Sequence, residues 1–330
     1  MLSFVWPTGA PMLAGTGGSE TFTAGHAREL MRRGIKMQIV TVGHGHNDGR
    51  DDFPEIPFLA LDDKSEIAAL QGTVIFINKP YEVTTKNKSA VLLHCVTPGM
   101  DERQEYINSV VGRTIIVTSV YSGQEWALYL NVPYSRIHIV LPFADPVFGG
   151  IKRTASGKKV RIVFGGRLHP DKGIYTLLEA MHTLYKDKTQ TVSIVTAGQH
   201  VESGEIINKM LRDYSYARLI PPQKSAQSMA RILTSSDILL MPSVYAEPFG
   251  MLSIEAQQAG CRVVASNIGG LPETNSGLLT LVEPHSPSAL IKGVHIAKAL
   301  GAATRKERET AKKNFTLTSS VDSLLLALNL

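Results

Sequence analysis

Short apolar runs alternate with longer amphipathic ones along almost the whole chain, with glycines clustered where one gives way to the other. Residues 2–6 read as a strand, a glycine loop follows, and residues 19–33 read as a helix closed by Gly34 as its C-cap. Residues 35–42 form the next strand. Further strands are expected at 73–77, 90–95, 114–117 and 137–140, with helices over 101–109 and 120–130 between the later ones. Strand–helix alternation of this kind specifies a parallel sheet covered on both faces.

The rhythm breaks between residues 142 and 159. Pro142, Pro146, Gly149, Gly150 and Gly157 crowd this stretch, and its second half is polar and basic, as expected of an interdomain linker. The alternation then restarts. Strands are expected at 160–164, 191–196, 237–241, 262–265 and 278–282, and helices at 173–184 and 204–214. The division therefore falls at 1–148 and 149–330. Two doubly wound, Rossmann-like α/β domains would face each other across a cleft at the carboxyl ends of their strands, where such folds bind ligands. The last helical stretch, 319–328, is apolar on much of its surface and needs a docking partner, for which the N-terminal domain is the candidate.

Composition excludes several classes. With 330 residues, 43% hydrophobic and 19% charged, the chain can bury two cores and is not disordered. Its mean hydropathy is +0.01, and no apolar run approaches the ~20 residues of a membrane span. No secretory leader is visible, since no basic segment precedes residues 1–6 and Pro7 ends them. Cys95 and Cys261 have no metal-binding or redox spacing and read as two buried free thiols of a cytoplasmic protein. Residues 1–150 carry 12 basic and 15 acidic residues, leaving 22 and 14 for the rest. The second half, at +8, is thus the one suited to an anion. Its cations form no stripe interleaved with aromatics, so nucleic acid is not an expected partner. The mixed segment 305–313 reads as a solvated helix face, with peripheral membrane contact as the lesser alternative.

Three segments can carry chemistry. Gly15-Thr16-Gly17-Gly18-Ser19-Glu20 joins the first strand to the first helix. It lacks the third glycine and the later carboxylate of a dinucleotide fingerprint, and the Gly-Lys-Ser/Thr of a P-loop. It is either a turn whose N–H groups open an anion-accepting helix end, or a flexible turn capped by Ser19. In Gly165-Gly166-Arg167-Leu168-His169-Pro170-Asp171-Lys172-Gly173, a buried strand ends in glycines that let a ligand approach the backbone. A planar guanidinium and a mobile ammonium, both suited to phosphate, then precede a helix.

The third segment runs from Met241 through Glu247-Pro248-Phe249-Gly250-Met251 to Glu255-Ala256, followed by Gly269-Gly270-Leu271-Pro272-Glu273. Glu247 falls in a strand-to-helix turn and Glu255 within the helix, so both carboxylates can face the same cleft and accept hydrogen bonds from hydroxyl groups. Gly250 leaves N–H groups free for an anion.

In these motifs, and in their order, the chain resembles the retaining nucleotide-sugar glycosyltransferases of family 4, which have the GT-B fold. The resemblance covers nearly the whole chain. It implies that Arg167 and Lys172 hold the donor diphosphate, that Glu247 contacts the donor sugar near its reacting carbon, and that Glu255 holds the ribose hydroxyls. It further implies that backbone groups of Phe249, Gly250 and Met251 bind sugar hydroxyls and phosphate, and that Gly17 and Gly18 belong to the donor site. His94, after an N-domain strand, would sit beside the donor sugar as a catalytic residue with Glu247, Arg167 and Lys172. The chain departs from the family at Pro142-Phe143-Ala144-Asp145 and at Ile220-Pro221-Pro222, which puts a role for Asp145 and the identity of the base in question.

The function that follows is transfer of a hexose from a nucleotide sugar, UDP-glucose or a related UDP-hexose, to a sugar or glycoside acceptor in polysaccharide or glycoconjugate assembly. The alternative is a nucleotide-sugar binding or regulatory protein with weak or lost activity. No cofactor or metal is expected. Asp51-Asp52 and Asp62-Asp63 are not the Asp-x-Asp that holds a metal–diphosphate, and His44-Gly45-His46 lacks a third ligand.

Overall fold

The computed structural model describes residues 1–7, 9–154, 159–186, 190–196 and 217–330. The chain divides into two compact units: Met1–Pro142 together with Leu317–Leu330, and Phe143–Thr316.

The first unit is built on a seven-stranded parallel sheet of order β3-β2-β1-β4-β5-β6-β7. Its strands are β1 (Leu2–Val5), β2 (Met37–Val42), β3 (Phe58–Leu61), β4 (Thr73–Ile77), β5 (Ser89–Leu93), β6 (Thr114–Val117) and β7 (Ile137–Ile139). Helices α1 (Gly18–Arg32), α2 (Arg103–Ser109) and α3 (Val120–Leu130) connect them. Both faces of the central strands are covered, which is why these strands read as unbroken apolar runs. On one face Val5, Val40, Phe76, Val91 and Val117 pack with Tyr106 of α2 and Trp126 of α3. The alternate positions Phe4, Ile39, Ile75, Leu92 and Ile116 are fully buried on the other face.

The strand order reverses between β1 and β4. Their connections leave in opposite directions, so a crevice opens at the carboxyl ends of these two strands. The helix that follows β1 starts one residue before the expected position, and its N-cap is Gly17 rather than Ser19. Ser19 is inside the helix, where its hydroxyl accepts a hydrogen bond from Asn78 after β4. At the other end Arg33 is the cap and Gly34 follows it in the left-handed region, at φ +76°.

The chain returns to this unit through α10, Leu317–Ala327. Ser320 donates to the carbonyl of Leu141 (2.6 Å) and meets His26 Nε2 (3.2 Å), while Asp322 pairs with Arg33 (2.6 Å). Burial lowers the pKa of His26 to about 4, so it packs as a neutral imidazole.

The second unit has a six-stranded parallel sheet of order β10-β9-β8-β11-β12-β13. Its strands are β8 (Val160–Gly166), β9 (Gln190–Thr196), β10 (Ala217–Ile220), β11 (Ile238–Met241), β12 (Arg262–Ser266) and β13 (Leu279–Val282). Helices α5 (Ile174–Lys186) and α8 (Pro287–Leu300) bury Leu177, Met181, Leu290 and Val294 against one face. The other face is covered from α4 (Pro146–Gly150), α6 (Ala226–Thr234) and α7 (Met251–Gln258), through Phe148, Leu233 and Ile254. Here the order reverses between β8 and β11.

The segment read as a solvated face is α9, Arg305–Lys313. A reciprocal cap between Thr304 and Glu307 starts it, Ala311 is fully buried, and Glu307 also receives Arg262 (3.2 Å). The helix expected at 204–214 lies outside the described residues.

Neither cysteine is in a disulfide, and only Cys261 is buried, its thiol pushed up to about 12 chiefly by burial. Cys95 is exposed, a correction to the expectation of two buried thiols. β5 ends at Leu93, so Cys95 lies in the loop beyond it, where its carbonyl accepts from Trp126 Nε1 (3.0 Å). No helix among the described residues is long and apolar enough to cross a membrane.

Candidate functional site

The reversal between β8 and β11 brings two loops together. One leaves β8 and carries Arg167 and Lys172; the other leaves β11 and carries Ser243, Tyr245 and Glu247. The Val244 N–H donates to the Asp171 carbonyl across them (2.8 Å). Gly173, at φ +71°, allows their closest approach, because a Cβ there would stand 1.7 Å from the Pro242 carbonyl oxygen. Only glycine satisfies both the backbone angle and the space.

At the end of the first loop the Lys172 ammonium lies 3.0 Å from Glu247 Oε2 and donates to the Tyr245 hydroxyl at 3.1 Å. It also sits 4.9 Å from the Tyr245 ring centroid, within cation–π range. The second carboxylate oxygen, Oε1, accepts from Ser243 Oγ. Glu247 is only 6% exposed, so its charge is held by two partners and little water. Burial by itself would lower the lysine pKa, but the carboxylate and Tyr245 outweigh it and hold the ammonium above its ordinary value. Arg167 is near enough that its charge acts on the Tyr245 hydroxyl.

Past Glu247 the chain turns into α7. Gly250, at φ +119°, is the N-cap and has no side chain to close the helix end, so the first N–H groups and the positive end of the helix dipole remain for a ligand. The Phe249 side chain is buried against Phe315, with ring centroids 5.5 Å apart. Met251 opens the helix.

Glu255 is one turn further along α7. Burial raises its carboxyl pKa to about 8, and the nearby Asp145 carboxylate adds to the effect. Asp145 itself caps α4 by accepting the Val147 N–H (2.9 Å). The two glutamates therefore have different surroundings: Glu247 contacts the Lys172 ammonium, and Glu255 is driven toward its neutral form.

The other sequence-predicted residues belong to the first unit. Gly17, extended at φ −170°, and Gly18 start α1. A Cβ on Gly17 would come 2.9 Å from the Glu20 carboxylate. Asn78, at φ +59° after β4, ties this loop to the end of β5: its Nδ2 donates to Ser19 Oγ (3.3 Å), and its Oδ1 accepts the His94 N–H (2.8 Å). The His94 ring is 4.5 Å from that of Phe22, and neither ring nitrogen has a partner among the described residues. Burial, with a smaller contribution from His26, lowers its pKa to about 3, so the imidazole is neutral.

The structure thus joins Lys172, Glu247 and the neighbourhood of Arg167 in one unit, and Gly17, Gly18 and His94 in the other. Tyr245, Ser243 and Asn78 are additions that the motifs did not single out. Among the described residues, no cluster of three His, Cys, Asp or Glu is placed to hold a metal ion.

Known proteins share both the sequence and the architecture. A D-inositol 3-phosphate glycosyltransferase of Saccharomonospora viridis is 28% identical over 269 residues, covering 73% of this chain and 61% of that protein. One of the same name from Mycobacterium ulcerans is 32% identical over 213 residues, 58% of this chain and 44% of that protein. The chain spans about half the length of such relatives. Among solved structures, a glycosyltransferase of Rickettsia africae superposes with a TM-score of 0.80 at 18% identity, covering 98% of this chain and 97% of the other. Anabaena HepE in complex with UDP superposes with a TM-score of 0.78 at 15% identity, covering 99% of each. These likenesses identify the fold as that of the GT-B glycosyltransferases. The family model for glycosyl transferases group 1 matches residues 151–315, half of the chain and the whole of the β8–β11 site, and the chain belongs to that family.

Proposed function

We propose that the protein is a retaining, metal-independent hexosyltransferase that uses a nucleotide sugar, UDP-glucose or a related UDP-hexose, and transfers the sugar to a hydroxyl of a sugar or glycoside acceptor. The observation that carries this reading is the Lys172–Glu247 pair beside Arg167 and the uncapped start of α7. A diphosphate leaving group needs fixed positive charge as its bond to the sugar breaks. Two side-chain cations and a helix N-terminus supply it without reorganisation. HepE, solved with UDP, has the same fold, which fits a uridine nucleotide as donor.

The roles are those the family resemblance implies, and the surroundings suit them. Lys172 and Arg167 bind the diphosphate and stabilise it as it departs. Glu247, held by Lys172 and Ser243, faces the sugar where positive charge develops. Glu255 holds the ribose hydroxyls, and the Phe249, Gly250 and Met251 backbone meets sugar hydroxyls and phosphate. The first unit supplies the acceptor side, with the neutral His94 imidazole as a hydrogen-bonding group for the donor sugar and Gly17–Gly18 as its backbone floor. The acceptor hydroxyl attacks from the face the leaving group vacates, because Glu247 already has both oxygens engaged and is a poor nucleophile.

Release of UDP from UDP-glucose, measured with a panel of glycosides and with inositol 3-phosphate as acceptors, tests the reading. Turnover that falls roughly a hundredfold in Glu247→Gln with UDP affinity retained is the expected result. Binding of UDP with no turnover on any acceptor would instead leave a nucleotide-sugar binding protein.

A further inference from the structure

The hydrogens around Lys172 can be counted. Its ammonium has three N–H groups. One faces Glu247 Oε2 and one the Tyr245 hydroxyl, and the third has no acceptor among the described residues. Tyr245 in turn accepts from Lys172 through a lone pair and keeps its own proton, which no group among the described residues receives. Burial raises the phenol above its ordinary value, with the Glu247 charge adding to this, so the hydroxyl remains a proton donor through the neutral range. The loop therefore presents two spare donors side by side, an N–H of Lys172 and the O–H of Tyr245, with the Arg167 charge acting on the same hydroxyl. Such a group of donors matches an oxygen-rich anion with several lone pairs, as a terminal phosphate has.

We infer that Tyr245 is a ligand-binding residue in its own right: its hydroxyl donates a hydrogen bond to the sugar-proximal phosphate of a nucleoside diphosphate, beside Lys172. This rests on the reading of the β8–β11 loops as a nucleotide-sugar site. The sugar-proximal phosphate is chosen because Lys172 bridges Tyr245 to Glu247, the group placed at the sugar. Before the ligand arrives, Tyr245 and Glu247 hold the ammonium between them, so the donors are already oriented and little side-chain freedom is lost on binding. As the bond to the sugar breaks, charge accumulates on that phosphate, and the hydrogen bond from Tyr245 strengthens with it.

Calorimetry with uridine, UMP and UDP on the whole chain tests the inference, using Tyr245→Phe, which keeps the ring and removes the hydroxyl. Wild-type protein should bind UDP more tightly than UMP. Tyr245→Phe should lose about tenfold in UDP affinity and almost nothing for UMP or uridine. A wild type that binds UDP no better than UMP would overturn the nucleotide-sugar reading itself. A wild type that does prefer UDP, with a Tyr245→Phe variant equal to it, or weakened equally for UMP and UDP, would overturn the role of Tyr245 alone. Acting only through Lys172 is a separate outcome. In a Lys172→Met/Glu247→Gln background the tyrosine substitution should still weaken UDP severalfold, and no further loss there would make Tyr245 a support for the lysine and refute direct contact.

Discussion

Gly269 has no room for a side chain because Glu247 is in the way: a Cβ at position 269 would stand 2.5 Å from the Glu247 carbonyl oxygen and 2.7 Å from its nitrogen. The next residue completes the clamp, since the Gly270 N–H donates to that carbonyl at 2.7 Å. The glycine pair after β12 thus fixes the backbone of the carboxylate that Lys172 pairs with. Gly269 also has φ +59°. Gly269→Ala should therefore cost about 2–4 kcal/mol, combining a left-handed alanine with overpacking. Urea unfolding gives the stability, and turnover should fall further than UDP affinity because Glu247 is displaced.

Removing one partner of the buried pair should be worse than removing both. Lys172→Met leaves the Glu247 carboxylate 6% exposed without its cation, at a cost of about 3–5 kcal/mol. Lys172→Met/Glu247→Gln should recover most of that in urea unfolding, yet remain inactive. A double variant as unstable as the single one would deny that the pair is coupled.

Glu255 should give the protein a distinct pH dependence. Its carboxyl titrates near 8 in the folded protein against an ordinary value of 4.5, so between these limits the folded state binds the extra proton. Its contribution is fully present below about pH 4.5 and is lost as pH rises through 8. Glu255→Gln, which cannot ionise, should gain in Tm relative to wild type as pH is raised over that window, and the difference should level off above it. Thermal unfolding at a series of pH values reads this directly. A constant difference across the series would mean the carboxyl is ionised throughout.

Activity should survive EDTA. In the proposed site Arg167, Lys172 and the start of α7 carry the charge that would meet a diphosphate, and the sequence lacks Asp-x-Asp. Loss of turnover on chelation, restored by Mg²⁺ or Mn²⁺, would transfer that task from the two cations to a metal.

Much of this architecture was legible in the residues. The ranges expected for β4, β6 and α3 coincide with those observed. The two strands are buried on both faces and bounded by turns, and α3 has its N-cap serine, Ser119, and Asn131 in the left-handed conformation at its end. β3 was not seen: it has four residues on the sheet edge, three of them only half-buried, so it lacks a strong apolar signature. Ser19 looked like a cap because its type is right, but the extended residue is Gly17, and Asn78, 59 positions away, engages the serine instead. The same limit explains Tyr245. Its position two residues before Glu247 was visible, but its partner Lys172 lies 73 positions earlier, in a contact that only the β8–β11 reversal creates. Local pattern reports periodicity and caps, whereas pairings between distant loops depend on strand order.

The return of α10 to the first unit has a consequence for biosynthesis. Residues 143–316 are interposed between the two parts of one fold, so the unit whose synthesis starts first is completed last. On the ribosome, the second unit can close its core while the first still lacks the serine that engages His26 and Leu141 and the aspartate that engages Arg33. The nascent first unit is left with the α1 surface uncovered until Leu317 and the residues after it emerge, and that interval is when a chaperone has most to bind.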